Sequence, residues 1–301
     1  MQHQLKAYTS MALAMAIVGS SVVVGKLMVE TIPVFLSSGI RFLIAAAVLI
    51  ALLIVFEKGF PALTKKDVFV LVMQSFTGVF LFSVCMLYGV KLTTGMESGM
   101  ITSTTPMAAG ILAFFLLKER IEKRMAIGIV LAVMGVMTIN LFGADAAGSP
   151  HALIGNLLIA AAVVGEAMFT LLAKLLSPHI SALAIATFVS LFGFLFFLPF
   201  AVIEALSFNF TAPGLLDWSY VLYYALIVTV LAFYLWYSGV AKVSAGISGI
   251  FTSVLPVSAV VLSGIVLKEQ FTMIHLIGIT LVIAGIFVTV VVKGDGQNLA
   301  S

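Results

Sequence analysis

Charge is what this sequence has least of. Only 9% of its 301 residues are Asp, Glu, Lys or Arg, against about a quarter in soluble globular chains, which excludes a water-exposed surface of ordinary extent. A single cysteine, Cys85, excludes an intrachain disulfide. The four histidines, His3, His151, His179 and His275, are too scattered to suggest a metal site. The chain has no paired-histidine metal motif, no glycine-rich phosphate loop, no nucleophile with an adjacent base and no soluble stretch to house one. An enzyme, a bound cofactor and a nucleic-acid partner are therefore not expected.

What is present is apolar. Hydrophobic residues make up 62% of the chain and the mean hydropathy is +1.26, so the solvent for most of it is lipid. A helical span takes about 20 apolar residues, which leaves room for about ten spans with short loops. The predicted spans are Tyr8–Met28, Val34–Phe56, Val68–Val90, Met96–Leu117, Met125–Phe142, Leu153–Leu176, Ile180–Glu204, Trp218–Val240, Gly246–Leu267 and Met273–Val292. Ala14-Met15-Ala16 has the form of a signal-cleavage site, but the apolar run continues to Val24 behind a weakly basic start, so the first span is read as retained.

The segment from Tyr88 to Asn140 is written twice. An offset of 150 residues, without a gap, lays Gly89-Val90 on Gly239-Val240, Ser98-Gly99 on Ser248-Gly249, Thr102-Ser103 on Thr252-Ser253, and Pro106 on Pro256. It also lays Lys118-Glu119 on Lys268-Glu269, Gly128 on Gly278 and Gly135 on Gly285. Roughly a third of the 53 positions are identical, the residue of a duplication. The loop Gly143–Pro150 divides the copies into residues 1–146 and 147–301.

With both termini cytoplasmic, eleven of the fifteen Lys and Arg residues fall on inner segments. Lys26, Arg41, Lys91 and Lys268 lie elsewhere, and the outer loops at 143–152 and 205–217 hold no Lys or Arg. Five spans per copy is an odd number, so the second copy must enter the membrane upside down. The expected fold is an all-α polytopic membrane protein of ten transmembrane helices in two inverted five-helix repeats, the pattern of a secondary transporter whose site lies at the midplane between halves.

The unit S-G-x-x-T-S-x-x-P followed, after eleven intervening residues, by K-E, at Ser98–Glu119 and Ser248–Glu269, resembles the EamA-type repeat of the drug/metabolite transporter superfamily. Lys26 at the end of the first span and Arg41 within the second fit the resemblance. A mid-helix Trp common in such proteins is replaced by Val18-Gly19-Ser20-Ser21. The resemblance implies a carrier in the bacterial cytoplasmic (inner) membrane that exports small metabolites, amino acids or related amphipathic compounds first. The alternative within transport is a proton-coupled drug or organic-cation exporter. Partners would be the small-molecule substrate, lipid, protons as the coupling ion and a second copy of the chain in a homodimer.

Candidate site residues follow from polar groups in apolar runs. Glu166 lies 13 residues into the sixth span, about 20 Å deep at 1.5 Å per residue, where an ionised carboxylate costs at least about 2.5 kcal/mol unless paired or wetted. It therefore holds a proton or meets a cation, or else forms a structural pair with Lys26 or Arg41. Glu97, at the start of the fourth span, is expected to complement the helix dipole and reach water. Lys26 and Arg41 suit a substrate carboxylate, but Lys26 also suits snorkelling to the interface and Arg41 a structural ion pair.

Ser98, Thr102 and Pro106 share a helical face beside Gly99, as Ser248, Thr252 and Pro256 do beside Gly249. Those faces read equally as a polar cavity wall with helix breaks for gating and as close packing with the hydroxyls bonded back to their own helices. Among the aromatics, Tyr223, Tyr224, Trp236 and Tyr237 are read as interfacial belt residues. Tyr234 and Tyr88 are the inward candidates, with Phe80 a comparable one, and the Phe188–Phe200 run is expected to face lipid.

Overall fold

The computed structural model describes residues 2–117, 126–127, 130–131, 134–135, 138, 151–243, 251–252, 254–269 and 273–290. Among the described residues the fold is entirely helical. In order the helices are α1 (Gln2–Thr31), α2 (Val34–Glu57), α3 (Lys65–Ser75), α4 (Phe82–Leu92), α5 (Gly95–Thr102) and α6 (Thr105–Leu117). They are followed by α7 (Ala152–Ala173), α8 (Ala182–Ser207), α9 (Leu215–Tyr223), α10 (Ala232–Val240), α11 (Val254–Val266) and α12 (Met273–Val290). Continuous apolar helices long enough to cross a membrane run over Leu5–Thr31, Val34–Glu57, Lys65–Leu92, Ala152–Ala173, Ala182–Ser207 and Leu215–Val240. Their outward faces stay apolar: Phe56 is 73% exposed and Leu206 85%, as lipid contact requires and water contact forbids.

Two of these spans are not simple α-helices. Phe76–Leu81 joins α3 to α4, and Tyr224–Leu231 joins α9 to α10, each as a π-helical segment. The 150-residue offset lays 224–231 on 74–81, so both copies carry the irregularity at one place. The widened turns are pinned by side chains, with the Thr77 hydroxyl donating to the Met73 carbonyl (2.8 Å) and that of Thr229 to Tyr224 (2.9 Å). The predicted span Met96–Leu117 is likewise broken, into α5 and α6 around a turn at Ser103-Thr104. Pro106 accounts for the break, because it has no N–H to continue the ladder.

Cross-contacts give the helix directions. At one end of the bundle the Leu36 amide at the start of α2 donates to Glu204 near the end of α8 (2.7 Å). At the other end the Ser181 hydroxyl, N-cap of α8, donates to Glu57 at the end of α2 (2.8 Å). Helices α2 and α8 therefore run opposite ways, each closing its terminus on the other's beginning. Between them Phe42 and Phe197 stack at 5.7 Å, and Phe197 also meets Phe35 and Phe80. The Phe188–Phe200 run is thus not a lipid face throughout: Phe197 is fully buried, because the face of α8 that meets α2 needs large apolar side chains to fill the seam.

The Lys26 end is tied by a polar cluster. Lys26 of α1 donates to the Thr93 carbonyl (2.8 Å) and pairs with Glu269 (3.3 Å). Glu269 also accepts from the Gly95 and Met96 amides (2.8 and 2.7 Å), capping α5 from outside. Lys268, in the left-handed region at φ 54°, turns the chain after α11 so that its neighbour can reach α5. At the opposite end Lys174, after α7, donates to the Val240 and Val243 carbonyls (3.0 and 3.2 Å). Val243 is the 150-residue counterpart of Thr93. Burial pulls the Lys174 ammonium below its ordinary value.

α11 packs against both α1 and α5 through residues that have almost no side chain. A Cβ on Gly19 would sit 2.5 Å from the Leu255 carbonyl oxygen, whereas one on Gly264 would meet nothing within 4 Å. Gly19→Val is expected to lower stability by about 1–3 kcal/mol and Gly264→Ala to leave it unchanged, as read by thermal unfolding of the purified chain in detergent. Glu269→Ala, which leaves two helix-start amides without their acceptor and Lys26 without its ion-pair partner, is expected to cost about 1–3 kcal/mol in the same measurement.

Candidate functional site

A cavity of about 70 Å³ lies where α1, α2, the first π segment and α4 face α7, the second π segment and α10. Residues 1–146 and 147–301 both line it. Its wall is mainly apolar, with Phe82, Met86, Phe169 and Phe233, and carries one carboxylate, Glu166, and one guanidinium, Arg41. At that volume it holds a few waters at most.

Each charged group is held by neutral neighbours. Glu166 of α7 is 8% exposed and accepts from the Thr105 hydroxyl at 2.9 Å. Thr105 is the first residue of α6, so the carboxylate stands at the start of a half-helix, where the backbone dipole favours negative charge. Arg41 of α2 is 5% exposed, donates from Nη2 to the Ser83 hydroxyl at 2.6 Å, and lies over the rings of Phe42 (4.4 Å) and Tyr224 (4.8 Å). Its Nε has no hydrogen-bond partner. Tyr224 is fixed in turn by donating to the Ser21 carbonyl.

Neither structural pair considered for Glu166 exists among the described residues, where the one ion pair is Lys26–Glu269. Lys26 is at the bundle end, held by the turn before α5. Arg41 is likewise not in an ion pair, because the groups around its guanidinium are a hydroxyl and two aromatic faces.

The remaining sequence candidates divide by place. Glu97 does not reach water: it is 1% exposed, hydrogen-bonded by the Thr93 hydroxyl, and its Oε1 has no partner. Thr93 also meets Asn156 of α7 at 2.6 Å, and this packing of α7 over the start of α5 shuts out solvent. Ser98 and Thr102 bond back to the Thr94 and Gly99 carbonyls (2.8 Å each). Beside them a Cβ on Gly99 would lie 2.8 Å from Val260, so this face meets α11 and does not line the cavity. Thr252 and Pro256 are buried. Ser248 and Gly249 lie outside the described residues, as does the side chain of Pro106. Tyr88 stands edge-on to Phe35 beside a cleft with Lys91 and Glu204 at the Lys26 end, and Tyr234 is 45% exposed and away from the cavity.

Sequence reading missed Ser83, Thr105, Tyr224 and Trp236. Trp236 and Tyr237 are 2% and 3% exposed, not belt residues, because α10 turns them inward onto α1 and Phe169. Ser83 carried one usable signal, a hydroxyl isolated in an apolar run at the depth of Arg41. In the Val18-Gly19-Ser20-Ser21 stretch, Gly19 packs on α11, Ser20 bonds Tyr223 (2.6 Å) and Ser21 receives Tyr224.

The comparisons agree with this architecture. The family model described as the EamA-like transporter family matches twice, over residues 5–141 and 153–291. The chain is 75% identical over 291 residues to the uncharacterized transporter YetK of Bacillus subtilis (strain 168), covering 96% of this chain and 88% of that one. It is 23% identical to the uncharacterized transporter YyaM of the same organism, over 83% and 82% of the two chains. A solved crystal structure shares the fold with a TM-score of 0.65 at 19% identity, covering 97% of this chain and 98% of that one. This multi-pass membrane protein with a transporter's fold belongs to the EamA-like transporter family.

Proposed function

We propose that the chain is a secondary carrier that exports small amphipathic metabolites, amino acids first, from the bacterial cytoplasm by alternating access. The observation that carries this reading is the cavity: both halves build it, and it holds one carboxylate and one guanidinium with no ion-pair partner among the described residues. Charges placed so in a bilayer-spanning bundle mark a site for cargo or coupling ion. The halves are ten helices in two inverted repeats, residues 1–146 and 147–301, with both termini cytoplasmic. The opposite directions of α2 and α8 support that inversion, as do the matched contacts of Lys26 with Thr93 and Lys174 with Val243.

In this reading the Lys26–Glu269 clasp lies at the outer end and closes it. It joins α1, the end of α4, the start of α5 and the chain after α11, so the two halves cannot part there while it holds. Glu166 is the coupling carboxylate. In the closed state it takes a proton or the cationic group of the cargo, and both cannot occupy it together. A second reading, export of organic cations against protons, is favoured by the aromatic wall of Phe169, Phe233 and Trp236, whose faces attract a cation.

The test is comparative profiling of the medium around cells that overproduce the chain or its Glu166→Gln variant. Wild type is expected to accumulate at least one solute outside, and Glu166→Gln to reduce that accumulation about tenfold or more. In reconstituted vesicles the variant should also lose the dependence of transport on the pH gradient. Should neither form alter any solute's distribution, the carrier reading fails. Should Glu166→Gln export with wild-type rate and pH dependence, Glu166 is not the coupling group.

A further inference from the structure

We propose that Arg41 is an anion receptor in the cavity, shaped for a single carboxylate on a compact apolar body. The proposal rests on the reading of this cavity as the cargo site and specifies the cargo's anionic end. A guanidinium has five N–H donors and cannot shed its charge in a protein. Here Ser83 accepts one of them, and Nε stands buried with no partner. A cation left so within an apolar bundle is costly unless a ligand completes it. Arg41 borders the cavity, so a ligand there can.

Its surroundings make it a receptor with a fixed direction. Phe42 and Tyr224 press on the guanidinium at 4.4 and 4.8 Å, and Ser83 holds Nη2. Tyr224 is itself tied to Ser21 of α1, so contacts from both halves set the plane of the donors. A planar donor set of this kind matches a carboxylate in two-point contact, which a lysine ammonium does not reproduce.

Charge count sets the ligand class. Among the described residues the cavity lining contains no second cation, and Glu166 shares it. A dianion such as a phosphate monoester would face one positive and one negative group, whereas a monocarboxylate is matched by Arg41 alone. The rest of the lining, Met15, Phe82, Met86 and Phe169 among it, favours an apolar remainder. A cargo that also carries an amine toward Glu166 fits best, but the receptor acts on the carboxylate by itself.

The test uses three probes that share an isobutyl body: L-leucine, 4-methylpentanoate, which lacks the amine, and L-leucinamide, which lacks the carboxylate. Binding to the purified full chain in lipid nanodiscs is followed through Trp236 emission in a Trp218→Phe background. L-Leucine and 4-methylpentanoate are expected to bind, with leucinamide weaker by about tenfold or more. Arg41→Gln should abolish that preference and Arg41→Lys should not restore it. Where Arg41→Gln does not fold, Ser83→Ala serves: freeing the guanidinium should weaken the carboxylate probes and leave leucinamide as it was. Equal binding of leucine and leucinamide overturns the proposal, as does binding of none of the three, or a preference that survives in Arg41→Gln. If Glu166→Gln stops export while these outcomes go against Arg41, only the receptor falls. If neither variant changes the export of any solute, the cavity is not the cargo site.

Discussion

A polar group inside an apolar bundle in a bilayer has no water to fall back on, so it must find its partner within the chain or wait for a ligand. This constraint orders the molecule. Away from the cavity it is met by short local bonds: the hydroxyls of Ser98, Thr102, Ser103 and Thr104 all turn back on carbonyls three or four residues earlier. At the bundle ends it is met across the two copies, by Glu204 on α2, Glu57 on Ser181, and Glu269 on Lys26 and α5. At the centre Glu166 and Arg41 are left facing space, and both halves of the chain contribute to that space.

The same constraint explains the irregular backbone. Two π segments line the cavity, and the broken helix reaches it through Thr105, which bonds Glu166. Gly78 and Val79 of the first segment and Tyr224, Val228 and Thr229 of the second belong to its wall. Because the segments occupy matching places in the two copies, the irregularity belongs to the duplicated unit. A site between two copies of one helix pair then acquires paired bends without separate invention.

Much of this was legible beforehand. The helices follow the apolar runs, and the duplication follows from Ser98–Glu119 and Ser248–Glu269. Glu166 and Arg41 announced themselves as charges deep within apolar segments. Other features left no mark in the sequence. A π turn shifts the hydrogen-bond register by one residue without changing composition. Whether Trp236 faces an interface or a cavity depends on how α10 is rotated against α1, which apolar side chains on every face of a span do not encode. Glu97 looked accessible because it begins a helix, but its solvent is excluded by the packing of Asn156, which lies on a distant helix of the other half. Nor does the sequence show that Lys268, in a left-handed turn, aims Glu269 at the opposite copy.

The central claim is that the two halves part and rejoin around one cavity, with the Lys26–Glu269 clasp holding one end. It is tested most directly by replacing Lys26 and Glu269 with cysteine in a Cys85→Ser background and bridging them with a short, reducible bis-methanethiosulfonate linker. The account predicts that bridging stops export and that reduction restores it, with each single-cysteine protein unaffected by the reagent. Undiminished export through fully bridged protein would contradict it.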